Sequence, residues 1–220
     1  MTRNIYGDDD GRENDDEVSI MLASRRLWYP FRPHPDDFEW SDLGFPLGRI
    51  PRFNGQLQAD GAAGLLDTYT DAQHLCMCSD LVASLEPELH VDVRLAIHLH
   101  DAEEALGGLG DPVGPVKHSK RFGELFRAYF RPIQVAIAQK ARIEPEMLWS
   151  PVVKKYDRMA YAIENYYLRG MEHPGNPPMS IPRNHTDVFG TFKCWSVGSA
   201  GGIWMAKLDA LLREKEATHG

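Results

Sequence analysis

The chain has 220 residues, 43% hydrophobic and 25% charged, enough apolar material for one buried core without help from disulfides. Its formal charge of −8, from 24 Lys and Arg against 32 Asp and Glu, argues against duplex nucleic acid as a partner. No apolar run reaches the roughly eighteen residues that a membrane span needs.

The opening MTRNIYGDDD lacks the apolar stretch of a signal peptide, so a cytoplasmic location is expected. GDDDGRENDDE, residues 7–17, holds seven acidic residues and one arginine and reads as part of a solvated, flexible arm over residues 1–26. In LWYPFRPHPDDFEW, residues 27–40, prolines at 30, 33 and 35 forbid a regular helix, and the aromatics imply a segment packed on the domain surface. DDFEWSDLGFPLGRI holds a short helix interrupted around Pro46.

From about Asp60 the spacing turns helical. DGAAGLLDTYTDAQHLCMCSDLVASL and HVDVRLAIHLHDAEEAL predict two helices, followed by the Gly and Pro cluster GGLGDPVGPVK. SKRFGELFRAYFRPIQVAIAQKARI predicts a long amphipathic helix that Pro132 should kink or divide. EPEMLWSPVVKKYDRMAYAIENYYLRG carries helix-start chemistry and stops at Gly170. Residues 173–202 read as an ordered loop with aromatic anchors, and IWMAKLDALLREKEA as a closing helix. The fold class is therefore all-α: a core over 27–172, with a loop-rich extension over 173–220. Cys76, Cys78 and Cys194 include a C-M-C but no C-x-x-C, so reduced, buried thiols are expected.

LAIHLHDAEEALGG, residues 95–108, places two histidines and three carboxylates in an otherwise apolar helical run. If the helix continues, His100 and Glu104 stack on one face, with Asp101 at its edge. His98 falls on the other side and is read as a satisfied core histidine, and Glu103 as a solvated-face charge. His74 and Asp157 also sit among apolar neighbours. A buried carboxylate demands a cation or a hydrogen-bond network, and for Asp157 alone an Arg or Lys partner is the commoner solution. Together His74, His100, Asp101 and Asp157 supply two imidazoles and two carboxylates, a mixed set suited to a divalent ion.

The H…HD…D pattern, with RIPRFNGQ, YTDAQHLCMCSDLV, LHDAEEALGGLGDPVGPVK and KYDRMAYAIE in that order, resembles the HD-domain phosphohydrolases over roughly residues 27–168. It is most similar to a phage-type branch with the pattern RFNGH, YSVAQHS, LLHDAAEA, GDI…P.K, whose relatives include phage dATP triphosphohydrolases and bacterial 5′-deoxynucleotidases. The resemblance implies that His74, His100, Asp101 and Asp157 hold one divalent metal ion of the Co, Mn, Zn, Fe or Ni class, with Mg2+ on the substrate phosphates. It makes Glu104 the catalytic carboxylate and Asp111 a second acidic residue near the site, although Asp111 reads equally as a turn-former between Gly110 and Pro112. Arg52 and Lys117 correspond to substrate- and phosphate-binding positions, and Phe53 to an aromatic beside the nucleobase; a core aromatic is the other reading of Phe53. The sequence departs from that branch at Gln56, in a longer link over 56–68, and in a lengthened ALGGLGD.

The implied activity is dNTP triphosphohydrolysis of the dATP type, in the host cytoplasm if the chain is phage-encoded. Two other readings stand beside it: a 5′-deoxynucleotidase acting on dNMPs, and a non-catalytic nucleotide-binding protein. A homo-oligomer is expected, with FGTFKCWSVGSAGGIWM either at the subunit interface or packed on its own domain.

Overall fold

A computed structural model of the chain describes residues 18–57, 68–171, 180–188 and 190–219. The acidic stretch 7–17, most of the 56–68 link and the start of the C-terminal loop lie outside the described residues. The structure is 62% helical and 4% strand, which makes it an all-α protein.

The described chain begins with a small antiparallel hairpin, β1 (Ile20–Met21) and β2 (Leu27–Trp28), pairing Ile20 with Trp28. The hairpin therefore spans residue 26. Asp42 ties it down, its carboxylate accepting from the Ser24 and Glu39 backbone N–H groups at 2.8 Å each. Within the proline-rich segment Trp28 and Phe38 are fully buried, edge to face at 5.6 Å, so its aromatics belong to the core and not only to the surface. Helix α1 (Ser41–Leu47) runs through Pro46 and ends at Gly48.

Helix α2 (Asp71–Leu85) is the centre of the molecule, packed on α3 (Val91–Leu99), α6 (Pro151–Arg169) and α7 (Val197–His219). Thr70 caps it by accepting from the Gln73 N–H. Its buried residues run from Asp71 through Cys78 and fall on every face, as in a helix enclosed by others. Polar side chains on α2 are therefore carried into the interior. Leu75, at 0% exposure, is the kind of core residue whose truncation to alanine costs about 2–5 kcal/mol.

The short α4 (Gly114–Lys117) and the long α5 (Gly123–Ala141) follow. Helix α5 continues through Pro132 without being divided. Ser150 caps α6 with Pro151 in its first turn, and Gly170 ends it with a left-handed φ of 59°. Helix α7 begins at Val197, earlier than the glycines of SVGSAGG suggested. Those glycines serve close packing: a Cβ on Gly201 would lie 2.7 Å from the Gly44 carbonyl oxygen, so only glycine lets α1 and α7 approach this closely. Phe192, Trp195 and Trp204 are buried within this chain, so the aromatic extension packs on its own domain. No described helix is long and apolar enough to cross a membrane.

Candidate metal centre

Helix α3 stops at Leu99, not beyond the His–Asp pair. His100 is its C-cap, Asp101 has φ −114° and ψ 14°, and a 3-10 turn covers Ala102–Ala105. The single-helix stacking of His100 on Glu104 is thus replaced by a bend, which sends His100 and Asp101 to one lobe of the site and Glu104 to another. Glu103 is also corrected: it is 3% exposed, its Oε1 accepts from Gln134 Nε2 at 2.7 Å, and burial followed by the Asp101 charge raises its pKa well above normal.

The first lobe is the predicted set. His74 from α2, His100 and Asp101 from the end of α3, and Asp157 from α6 each offer one ligand atom, all within 4.8 Å of one another. Asp157 Oδ1 lies 3.4 Å from His74 Nε2 and 3.8 Å from His100 Nε2, and Asp101 Oδ2 lies 3.6 Å from His100 Nε2. Both imidazoles are fixed from behind. His74 Nδ1–H donates to Glu164 Oε1 at 2.5 Å, and His100 Nδ1–H to the Ile97 carbonyl at 2.8 Å. This arrangement turns both Nε2 atoms toward the carboxylates, as metal-ligating histidines require. His100 Nε2 is buried without a hydrogen bond among the described residues, an atom that a cation would satisfy.

Cys78 also approaches, its Sγ 3.7 Å from His74 Nε2. Burial pushes this thiol's pKa up, and the Tyr156 carbonyl at 3.8 Å accepts its proton, so the two-carboxylate set is the better metal ligand.

The second lobe joins Asp71, Glu104 and Asp111, whose oxygens also lie within 4.8 Å of one another. Burial pushes Asp71 up to about 7 and raises Glu104 well above the ordinary range, the latter helped by Asp71 and Asp101. Asp111 follows Gly110, which has φ +67°, and its Oδ2 accepts from the Phe53 N–H at 3.3 Å. It thus holds a turn and faces the site.

Two cations bind the lobes together. Arg52 lies in ion-pair range of Asp71, Asp101, Asp111, Asp157 and Glu164 at 3.3–3.9 Å. Lys117 Nζ donates to Glu104 Oε1, and lies 3.9 Å from Asp101 and 4.0 Å from Asp111. Against desolvation, Lys117, His100 and Arg52 hold Asp101 well below the usual carboxylate range, and His100 and His74 do the same for Asp157. At the rim the Phe53 ring, with φ 57°, meets Tyr161 at 6.0 Å and the Arg169 guanidinium at 5.0 Å. Phe53 is partly buried and packed against the core.

His98 stays apart from both lobes. Its Nε2–H donates to the Trp204 carbonyl at 3.1 Å, Nδ1 faces the Ser79 hydroxyl at 2.8 Å, and burial pushes its pKa down to about 3.

Sequence reasoning missed Glu164, Asp71 and Tyr69. Glu164 stands seven residues after Asp157, two turns along nearly one face of α6, and Asp71 stands one turn before His74. Glu164, next to Ile163, carries the signal that singled out Asp157, whereas Asp71 follows the Thr70 cap, where an acidic residue is ordinary and leaves no signal.

No protein-family model matches the chain. It is 30% identical over 181 residues to an uncharacterized protein of Rhodobacter capsulatus, a match covering 73% of this chain and 88% of that protein.

Proposed function

For this chain, which belongs to one family with that Rhodobacter capsulatus protein, we propose a divalent-metal-dependent phosphohydrolase of the HD-domain type. Its substrates are deoxynucleotides, with dATP-type triphosphohydrolysis to deoxynucleoside and tripolyphosphate the favoured reaction. The observation that carries the reading is the convergence of His74, His100, Asp101 and Asp157, with both imidazole Nδ1 protons already engaged behind the site. Two nitrogens and two carboxylates suit a borderline ion of the Mn, Fe, Co, Ni or Zn class. When bound, such an ion supplies Lewis acidity toward a phosphoryl oxygen and lowers the pKa of water.

The chain's own groups supply the remainder. Arg52 and Lys117 neutralise the phosphate chain and the charge that builds in the transition state. Lys117 is the lysine held in the site by Glu104, whereas Lys120 and Arg121 are exposed beyond α4. Glu104, buried beside Asp71 and Asp111, orients the attacking water and moves its proton. Attack at the α-phosphorus breaks its bond to O5′, and the leaving oxygen takes up a proton. Phe53 stacks on the base at the rim, where Tyr161 and Arg169 stand beside it.

A metal-supplemented screen over all dNTPs, NTPs and dNMPs, with analysis of the phosphorus product, tests the reading. Tripolyphosphate from a dNTP is expected. Inorganic phosphate from dNMPs would shift the assignment to a 5′-deoxynucleotidase, and absence of turnover on every substrate would favour a non-catalytic binding protein.

A further inference from the structure

We propose that Glu164 is a positioning residue shared by the metal-ligating His74 and the phosphate-binding Arg52, so that one buried carboxylate orients both halves of the reaction centre. The inference rests on the phosphohydrolase reading above.

Glu164 is fully buried on α6, nearly in line with Asp157 two turns away. Its Oε1 accepts from His74 Nδ1–H at 2.5 Å and from the Tyr69 hydroxyl at 2.8 Å. Its Oε2 forms an ion pair with Arg52 Nε at 3.5 Å, and neither of these two buried atoms has a hydrogen bond among the described residues. An ionised carboxylate in such a setting is tolerated only when it is compensated. Here the compensation comes from the two groups the site needs held in place, His74 and Arg52, with the Tyr69 hydroxyl beside them.

Two consequences follow for the site. Accepting the Nδ1 proton fixes the His74 tautomer, leaves Nε2 to the ligand set, and strengthens the imidazole as a donor to a metal. Pairing the Nε edge of Arg52 with Glu164 leaves the terminal nitrogens facing the first lobe and its border with the second, with Nη1 3.3 Å from Asp101, 3.8 Å from Asp71 and 3.9 Å from Asp111, and Nη2 3.7 Å from Asp157. A phosphate bound at that lobe would meet them there.

The test is Glu164→Gln in the full chain. A glutamine keeps the shape but has one oxygen and one amide nitrogen. Whichever way it turns, a donor faces a donor at either His74 or Arg52. With folding verified by circular dichroism, Co2+ titrated into the metal-free protein and followed by cobalt absorption should bind about 10- to 100-fold more weakly than to wild type. Inorganic phosphate should also bind the Co2+-saturated variant more weakly than the Co2+-saturated wild type. Unchanged Co2+ affinity, or unchanged phosphate affinity, overturns the shared role while leaving the phosphohydrolase reading intact. A wild-type protein that binds no Co2+ overturns both. Should the variant not fold, a long-range 1H–15N spectrum of Zn2+-loaded wild type decides: a His74 proton on Nδ1 supports the assignment, and one on Nε2 overturns it.

Discussion

Replacing Lys117 with methionine removes a cation from the most crowded part of the site while keeping much of the side-chain volume. Glu104 is 1% exposed, Lys117 Nζ is the donor to its Oε1, and its Oε2 has no hydrogen bond among the described residues. Breaking a buried ion pair from one side costs about 3–5 kcal/mol when the remaining charge cannot escape. Glu104 can escape by protonation, because burial and Asp71 already raise its pKa, so we expect a loss of about 2–3 kcal/mol in metal-free protein at pH 8, below the full cost of an uncompensated charge. The loss should shrink toward pH 5. There burial favours a protonated Glu104 in the folded state, so its pairing with the lysine matters less, while the attraction of Lys117 for Asp101, whose carboxylate stays ionised, is still lost. Urea unfolding at the two pH values reads this directly. Under metal-replete conditions kcat/KM for the preferred nucleotide should fall about 100- to 1000-fold, the scale of a lost transition-state cation or donor. A Lys117→Met protein within about 0.5 kcal/mol of wild type at pH 8, with kcat/KM unchanged, would refute the placement of Lys117.

Adding a divalent ion to chelator-treated protein should raise Tm: at a hundred times Kd the gain is about 2.7 kcal/mol, or about 5–10 °C for a chain of this size, measured by differential scanning fluorimetry. Asp71→Asn removes a carboxyl whose folded pKa, at about 7, stands above its unfolded value. The penalty for ionising it is absent below about pH 4 and complete above about pH 7. The variant should therefore gain stability in metal-free protein at pH 8, by at most about 4 kcal/mol, and much less of it at pH 5; equal gains at both pH values would contradict this. His98→Ala should cost about 2–4 kcal/mol in unfolding experiments, through lost packing on Trp204 and an unsatisfied carbonyl, yet leave Co2+ affinity unchanged.

Residue type alone offered two imidazoles and two carboxylates as a candidate metal set, whereas Arg52, Phe53, Asp111 and Lys117 entered only through the resemblance to the HD-domain phosphohydrolases. His74, His100, Asp101 and Asp157 stood out because each is a polar group among apolar neighbours, and the structure brings their ligand atoms together. The bend at Asp101 was not legible, because AIHLHDAEEAL keeps helical spacing across the break and no glycine or proline marks the stop at Leu99. Glu103 misled for a related reason: its partner, Gln134, comes from α5 and leaves no local signature. The start of α7 was hidden by glycines that normally signal a loop but here allow α1 and α7 to touch. Glu164 was overlooked beside Asn165, although it continues the face that begins at Asp157. For Glu103 and the α7 glycines, long-range partners and not local propensity decided the outcome.

The most direct test measures bound metal and deoxynucleotide turnover on the same samples of wild type and the double variant His100→Ala, Asp101→Ala. Wild type should carry close to one transition-metal ion per chain, with turnover abolished by prolonged chelation and restored by Mn2+ or Co2+, and a folded double variant should show neither metal nor turnover. Turnover that survives in the double variant, or persists after chelation, would contradict it.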